Sequence, residues 1–271
     1  MSNNSGEPRY LIIPAAGLGT RMRSVNREIP KEMLPIGNKP AIQYAAEEGI
    51  SAGIRNIILI ISKHKEIIRD FIERQYRGAD TSADAISFTF LYQNEPLGES
   101  DAIGCAKDIV GNHSAAVIYP DNVYLPAPGA LKILIPVYHA YRKDVIALSH
   151  VSPDIARTIS NAGRVDITPL NKSIFNIRNF IPKGDGYFVL RHKDELRACG
   201  IYISGPHMFD HIEMTRDTIS KGEFTDYTVR TSILKEREMI GCLLAGTVFD
   251  IGNPKGYDVC LQYINENKIA G

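Results

Sequence analysis

The chain has 271 residues, 44% of them hydrophobic and 23% charged, which is ample for one large domain and excludes wholesale disorder. Its 31 Lys and Arg balance 31 Asp and Glu, unlike the strongly basic balance of a protein that binds nucleic-acid backbones. No apolar run approaches the ~20 residues of a membrane-spanning helix.

In chain order, residues 1–8 are polar, lack the apolar centre of a signal peptide, and are expected to form a disordered tail. Tyr10–Ile13 (YLII) reads as a buried strand ended by Pro14. A long loop follows, and Pro40–Gly53 predicts a helix with proline at its start and glycine near its end. Asn56–Ser62 (NIILIIS) is a second buried strand, Ile67–Tyr76 a helix, and Ser87–Tyr92 an alternating strand. Ser100–Val110 reads as one helix and Ala115–Tyr119 as a strand ended by Pro120-Asp121. Ala130–Arg142 is then a helix and Val145–Val151 a strand. Residues 157–197 break into short Gly-, Pro- and Asn-containing pieces and predict a lid or small subdomain. The rest alternates again: strand Ala198–Ser204, helices Pro206–Ser220 and Thr225–Glu236, strands Ile240–Ala245 and Val248–Ile251, and a last helix from Pro254 to Asn267.

Near-continuous apolar strands alternating with helices imply an α/β fold with a mainly parallel sheet covered on both faces. In such sheets ligands bind beyond the carboxyl ends of the strands. Three segments therefore stand out: the loop after Ile13, the loop after Tyr92 and the turn after Tyr119. The four cysteines, Cys105, Cys199, Cys242 and Cys260, are far apart without a C-x-x-C pair and are expected to be four buried thiols in a reducing cytoplasm. His207 and His211 lack the rest of a His-Glu-x-x-His motif and read as structural or surface residues.

The loop after the first strand is the densest signal. Gly17 and Gly19 follow the strand directly and allow backbone N–H groups to approach phosphate oxygens. Met22 occupies the third position of a dinucleotide fingerprint, which argues against an NAD-type oxidoreductase, and no Gly-Lys-Ser/Thr is present for a Walker loop. Arg21 and Lys31 put two cations on this one loop, as a triphosphate requires. Pro30, Pro35, Met33 and Leu34 predict that the stretch is anchored rather than loose.

Pro14–Arg21 (PAAGLGTR), Pro30–Pro35 (PKEMLP) and Lys39–Tyr44 (KPAIQY) together resemble the signature of the sugar nucleotidyltransferases, in the form found in the bacterial uridylyltransferases that use UTP and glucose 1-phosphate. The resemblance implies a Rossmann-like three-layer α/β/α nucleotidyltransferase fold over residues 9–271, with residues 157–197 as an acceptor-side lid. It implies transfer of a nucleotidyl group from a pyrimidine NTP, UTP before dTTP or CTP, to a sugar 1-phosphate or another small phosphate, with release of pyrophosphate. A catalytically inactive nucleotide-binding relative is the other reading.

Roles follow residue by residue. Arg21 and Lys31 would act on the phosphates. Ala15, Ala16, Gly17, Gly19 and Glu32 would line the nucleotide pocket, with Gln93 and Gly98 reading the pyrimidine. Asp121 and Asp250 would hold Mg²⁺, a hard cation suited to carboxylates and phosphates. Gly163 would meet the sugar through its backbone. The family's Glu-Lys-Pro element, whose Glu holds sugar hydroxyls and whose Lys holds the sugar phosphate, is not kept: aligned on Pro182, Phe180 and Ile181 take those positions, leaving Lys183 or Arg178 as the phosphate contact. The partners expected are the nucleotide, the small phosphorylated acceptor and copies of the chain itself in a dimer or tetramer, with neither nucleic acid nor membrane, in the cytoplasm.

Overall fold

The computed structural model describes residues 7–77, 85–126, 128–217 and 223–267. Residues 1–6 of the expected tail, and the end of the helix expected to reach Ser220, lie outside the described residues. The first half of the chain holds β1 (Tyr10–Pro14), β2 (Pro35–Ile36), β3 (Lys39–Pro40), α1 (Ala41–Ser51), β4 (Asn56–Ile61), α2 (Glu66–Gln75), β5 (Ser87–Tyr92), α3 (Glu99–Gly104), α4 (Lys107–Val110), β6 (Ala115–Ile118) and β7 (Asn122–Leu125). The second half holds α5 (Ala130–Tyr141), β8 (Asp144–His150), α6 (Pro153–Ala156), β9 (Val165–Pro169), β10 (Ile174–Phe180), β11 (Leu196–Ser204), α7 (His207–Arg216), α8 (Asp226–Glu236), β12 (Met239–Leu243), β13 (Thr247–Asp250) and α9 (Pro254–Glu266).

Nine strands form one sheet in the order β5-β4-β1-β6-β11-β8-β12-β10-β9. The β5-β4-β1-β6 half is parallel throughout. Only β11 and β10 run against the other strands, because β11 is antiparallel to both β6 and β8, and β10 to both β12 and β9. The sheet is therefore mainly parallel.

Period-two alternation sends successive side chains of each strand to opposite faces. Leu11 and Ile13 of β1 pack with Ile42 of α1, Ile68 of α2 and Leu131 of α5. Ile12 of the same strand packs on the other face with Ile103 of α3, Ile212 of α7 and Ile233 of α8. Helices thus cover both faces, giving three layers. Each such isoleucine or leucine, wholly withdrawn from water, contributes ~1.5–3 kcal/mol, so the central strands resist any polar substitution.

The helix expected over Ser100–Val110 is divided into α3 and α4. Gly104, a weak helix former, ends α3, and a β-carbon there would meet Ile212 and Arg216 of α7 at 3.2 and 3.1 Å. Close packing of α3 on α7 is the local gain. The four cysteines are free, and Cys199, Cys242 and Cys260 are buried, but Cys105 is exposed, against the expectation of four buried thiols. It falls at the break between α3 and α4. No helix among the described residues is long and apolar enough to cross a membrane. Within residues 157–197, β9 and β10 extend the edge of the main sheet, and the loop beyond them is tied down through Glu195. Glu195 takes Arg164 and Arg191 as partners, the latter at 2.7 Å.

Candidate active site

The chain leaves β1 for β4 and β5 on one side and returns to β6 on the other. That reversal opens a crevice at the carboxyl ends of β1 and β6, where α/β sheets bind ligands. A cleft of about 510 Å³ occupies it.

The long loop after β1 forms one wall. Its 3₁₀ turns, Thr20–Ser24 and Lys31–Met33, present Arg21 and Lys31 to the cleft. The loop is held from behind, as its prolines and apolar residues predicted. Met22, Leu34 and Ile36 are buried against Tyr44, Tyr257 and Cys260. Tyr44 and Tyr257 donate hydroxyl hydrogen bonds to the carbonyls of Ile36 and Pro35 at 2.8 and 2.7 Å. Lys65 ties the two ends of the loop together, donating to Ala15 O at 2.7 Å and to Glu32 Oε2 at 2.8 Å. Burial pulls the Lys65 ammonium below its ordinary pKa, and Glu32 works against that shift.

The two aspartates come from different parts of the chain. Asp121 follows β6, and Asp250 ends β13, which pairs antiparallel with β7 so that Asp250 faces Asn122. An oxygen of each carboxylate approaches Gly252: a β-carbon built there would stand 2.7 Å from Asp121 Oδ2 and 3.1 Å from Asp250 Oδ1. The Asp250 carboxylate accepts from Ser160 N at 2.8 Å and Gly252 N at 3.0 Å. Lys31 Nζ donates to Asp121 Oδ2, and Arg21 donates to Ser160 Oγ, so each loop cation is connected to one aspartate. Two hard oxygen donors converging on one spot suit a magnesium-type ion, which takes one or two carboxylates together with phosphate oxygens. Among the described residues no group of three or more His, Cys, Asp or Glu converges as a metal cage.

Charge is distributed accordingly. Burial on its own would lower the Lys31 pKa, but Asp121 and then Glu32 outweigh it and hold Lys31 above its ordinary value. Burial would raise the Asp121 carboxyl, but Lys31, then Asn122 and Arg21, bring it below its ordinary value. Both members of the pair are therefore ionised around neutral pH.

Gln93 and Gly98 lie together at another part of the cleft. Gln93 Nε2 donates to Gly98 O at 3.0 Å and to Asp101 Oδ2 at 2.8 Å. Gly98 has φ 120°, and a β-carbon on it would strike the Phe224 carbonyl oxygen at 2.5 Å. Gly163 has φ 78° and faces Ala198, whose N–H donates to Gly163 O at 2.7 Å. A β-carbon on Gly163 would fall 2.2 Å from Ala198 O, so both positions exclude a side chain.

Of the residues singled out from sequence, Ala16, Gly17, Gly19, Arg21, Lys31, Glu32, Gln93, Gly98, Asp121, Gly163, Lys183 and Asp250 all line the cleft. Ala15 is buried behind the wall, where its carbonyl holds Lys65. Arg178 is exposed on β10 and bonds Thr168 Oγ1 at 2.9 Å, away from the cleft, so Lys183 alone of the two candidate cations reaches it. Ser160, Glu99, Asp226 and Arg230 also line the cleft and were not singled out. Ser160 carries no local sequence signal, and the other three become neighbours only through helix packing. His207 and His211 lie outside the cleft, bonded to Asp144 at 3.0 Å and Ser232 at 2.9 Å respectively, as their structural reading anticipated.

The model of the nucleotidyl transferase family matches residues 10–266. The chain is 33% identical to a UTP–glucose-1-phosphate uridylyltransferase of Staphylococcus haemolyticus, covering 76% of this chain and 75% of that one. It is 29% identical to the UTP–glucose-1-phosphate uridylyltransferase YngB of Bacillus subtilis, covering 92% and 86% respectively. A UDP-glucose pyrophosphorylase solved in complex with UDP-glucose has the same fold, with a TM-score of 0.80 at 24% identity over 96% of this chain and 99% of that one.

Proposed function

The chain belongs to the nucleotidyl transferase family, and from that premise we propose that it joins UTP to glucose 1-phosphate, giving UDP-glucose and pyrophosphate. The observation that carries this reading is the junction of Arg21 and Lys31 with Ser160–Asp250 and Asp121 in one cleft that also holds Gln93 and Gly98. The pyrimidine would be read at Gln93 and Gly98. The triphosphate would lie along the glycine loop, within reach of both loop cations.

A phosphate oxygen of the acceptor attacks the α-phosphorus in line, a new P–O bond forms, and the bond to the β-phosphate bridging oxygen breaks. Pyrophosphate leaves with the electron pair. Such a reaction depends on positioning and on stabilising charge, and no covalent enzyme intermediate is required. Arg21 offers a planar fork to phosphate oxygens and Lys31 a point charge. Lys31 exchanges Asp121 for the nucleotide as the triphosphate enters. Asp121 and Asp250 would hold the divalent ion of the family, Mg²⁺ in this reading, which supplies positive charge at the reacting phosphate when bound. Lys183 and the backbone of Gly163 would take the acceptor. A cytoplasmic location and a homo-oligomeric state accompany this reading.

The test is pyrophosphate release by the purified protein with Mg²⁺, crossing four NTPs with a panel of sugar 1-phosphates and other small phosphates. Release with UTP and glucose 1-phosphate is expected. Release with dTTP or CTP, or with a different phosphate, would reassign the substrates within the same chemistry. Nucleotide binding without release across the panel would leave a binding-only protein.

A further inference from the structure

At the amino ends of β1, β4 and β8, on the edge of the sheet opposite the catalytic crevice, lies a second cavity. Its volume is about 1060 Å³, against about 510 Å³ for the cleft. Five Arg or Lys line it with three carboxylates, whereas six carboxylates line the cleft with five Arg or Lys. Two of the three carboxylates at the amino edge are already engaged. Asp144 accepts from Gly205 N at 3.2 Å and pairs with His207 at 3.0 Å, and Glu238 pairs with Lys143 at 2.7 Å. Arg55 is engaged as well, donating to Ile50 O in the last turn of α1 at 3.0 Å. Arg9, Arg142 and Arg237 line the cavity, are exposed, and have no carboxylate partner among the described residues. Arg142 closes α5 in the left-handed conformation, at φ 53° and ψ 36°. Glycine is the usual residue there, because a β-carbon is strained at positive φ. Arg142 is the one non-glycine residue with positive φ among the described residues, and such outliers cluster at functional sites. The helix dipole favours a cation near a carboxyl end, which suits Arg237 just after α8. A cation inside the last turn of α5 would serve that dipole without strain, and Arg9 precedes a strand rather than ending a helix.

We propose that this cavity binds a metal-free anion carrying two or more phosphate groups, held by Arg9, Arg142 and Arg237. Each guanidinium presents a planar fork that matches phosphate oxygens, and its hydrogen bonds to them are charge-assisted. Three arginines free of carboxylates can serve more than one phosphate group, and the cavity has the room. The sign of the charge separates the two sites. A triphosphate in the cleft needs a divalent ion beside Asp121 and Asp250, and without one it meets an excess of carboxylates. At the amino edge the same anion meets an excess of cations. The cavity lies outside the reaction, so the proposal stands or falls independently of the transferase reading.

The experiment titrates inorganic triphosphate and orthophosphate by calorimetry, with EDTA and at low ionic strength, into the unaltered protein, Arg142→Gly, Arg237→Ser and Lys31→Ala. Triphosphate should bind saturably to the unaltered protein, at least tenfold more tightly than orthophosphate. Loss of a hydrogen bond to a charged group corresponds to a factor of about 10 to 100, and Arg142→Gly and Arg237→Ser should each weaken triphosphate by that factor. Lys31→Ala should change it by less than about twofold. Glycine suits the backbone at position 142, so the melting temperature of Arg142→Gly should not fall, and Arg237→Ser is an independent variant at an exposed position. UTP and ATP, titrated in the same way, separate two sources of the phosphates. Affinity equal to that of triphosphate means that phosphates alone are read, and tighter binding that Arg142→Gly weakens puts the nucleoside in the cavity too. Both results support the site. Binding that survives Arg142→Gly and Arg237→Ser but is lost in Lys31→Ala puts the anion in the cleft and overturns the proposal. Triphosphate no tighter than orthophosphate, or no saturable binding, also overturns it, because a diffuse counter-ion atmosphere explains that result.

Discussion

At the scale of single residues, the charges of the cleft neutralise one another. Lys31 and Asp121 hold each other charged, and Arg21 reaches Asp250 through Ser160. Removing an electrostatic donor that acts on developing charge costs a factor of about 100 to 1,000 in turnover. Lys31→Ala and Arg21→Ala should each lower kcat for pyrophosphate release by about 100-fold or more. Unchanged turnover in both would remove these residues from the phosphate site. Glu99 yields a different expectation. Burial, and after it the charge of Asp226, push its carboxyl up to about 7 from an ordinary value of 4.5. A folded-state pKa raised in this way favours the protonated form on folding. Stability on that account is complete below 4.5 and declines as pH rises towards 7. Glu99→Gln, which cannot ionise, should therefore raise the melting temperature at pH 8 and leave it nearly unchanged at pH 4.5. Melting curves at the two pH values check this, and an equal shift at both would rule out ionisation as the cause. Arg21, Lys31, Gln93 and Asp121 were legible because each lies in or beside a contiguous motif. Glu99 and Asp226 were not, because neither has meaning until α3 and α8 meet.

At the scale of elements, local pattern and tertiary context share the work. In the sheet's parallel half β1, β4 and β6 were placed from their apolar runs, since a strand buried on both faces needs such a run, and the edge strand β5 from its alternation. Helix ends show more of the long-range fold. The N-terminus of α5 has no side-chain cap of its own. Glu48 of α1 supplies one across the structure, accepting from Gly129 N at 2.8 Å and Leu131 N at 3.3 Å. A carboxylate at that end also meets the positive pole of the helix dipole. Burial raises the Glu48 carboxyl, with the N–H groups of Gly129 and Leu131 working against the shift. Glu48→Ala should leave buried donors unpaired and destabilise the protein by about 1–3 kcal/mol. Denaturant unfolding would measure it, and a loss below about 0.5 kcal/mol would mean that water replaces the cap. No spacing rule could have found this contact, because residues 48 and 129 meet only when both helices lie on the same face of the sheet.

At the scale of the whole molecule, the site is assembled at a reversal of chain direction. β1 and β6 supply its floor, and the β7–β13 pair brings Asp250 to Asp121. A ligand that bridges the glycine loop, these aspartates and the Gln93 region should bind the folded state alone. At a concentration of 100 times its Kd, UTP with Mg²⁺ should stabilise the protein by about 2.7 kcal/mol. This would appear as a rise in melting temperature that saturates with nucleotide, and Lys31→Ala should lose most of it. No shift with any NTP would contradict a nucleotide site in this cleft.

The sequence by itself determined the α/β class, the buried strands, the anchored glycine loop and nearly every phosphate- and base-side candidate. Those features depend on residue periodicity, or on motifs in which neighbours along the chain act together. The tertiary structure alone decided the order of the nine strands, the convergence of Asp121 and Asp250, the tie from Arg21 to Asp250 through Ser160, and the choice of Lys183 over Arg178 at the cleft. It also brought Glu99 beside Asp226 on the wall of the cleft. The physical reason is common to all of these. Each contact joins residues far apart in sequence, and it forms only because burying both faces of one sheet fixes where the distant segments must lie.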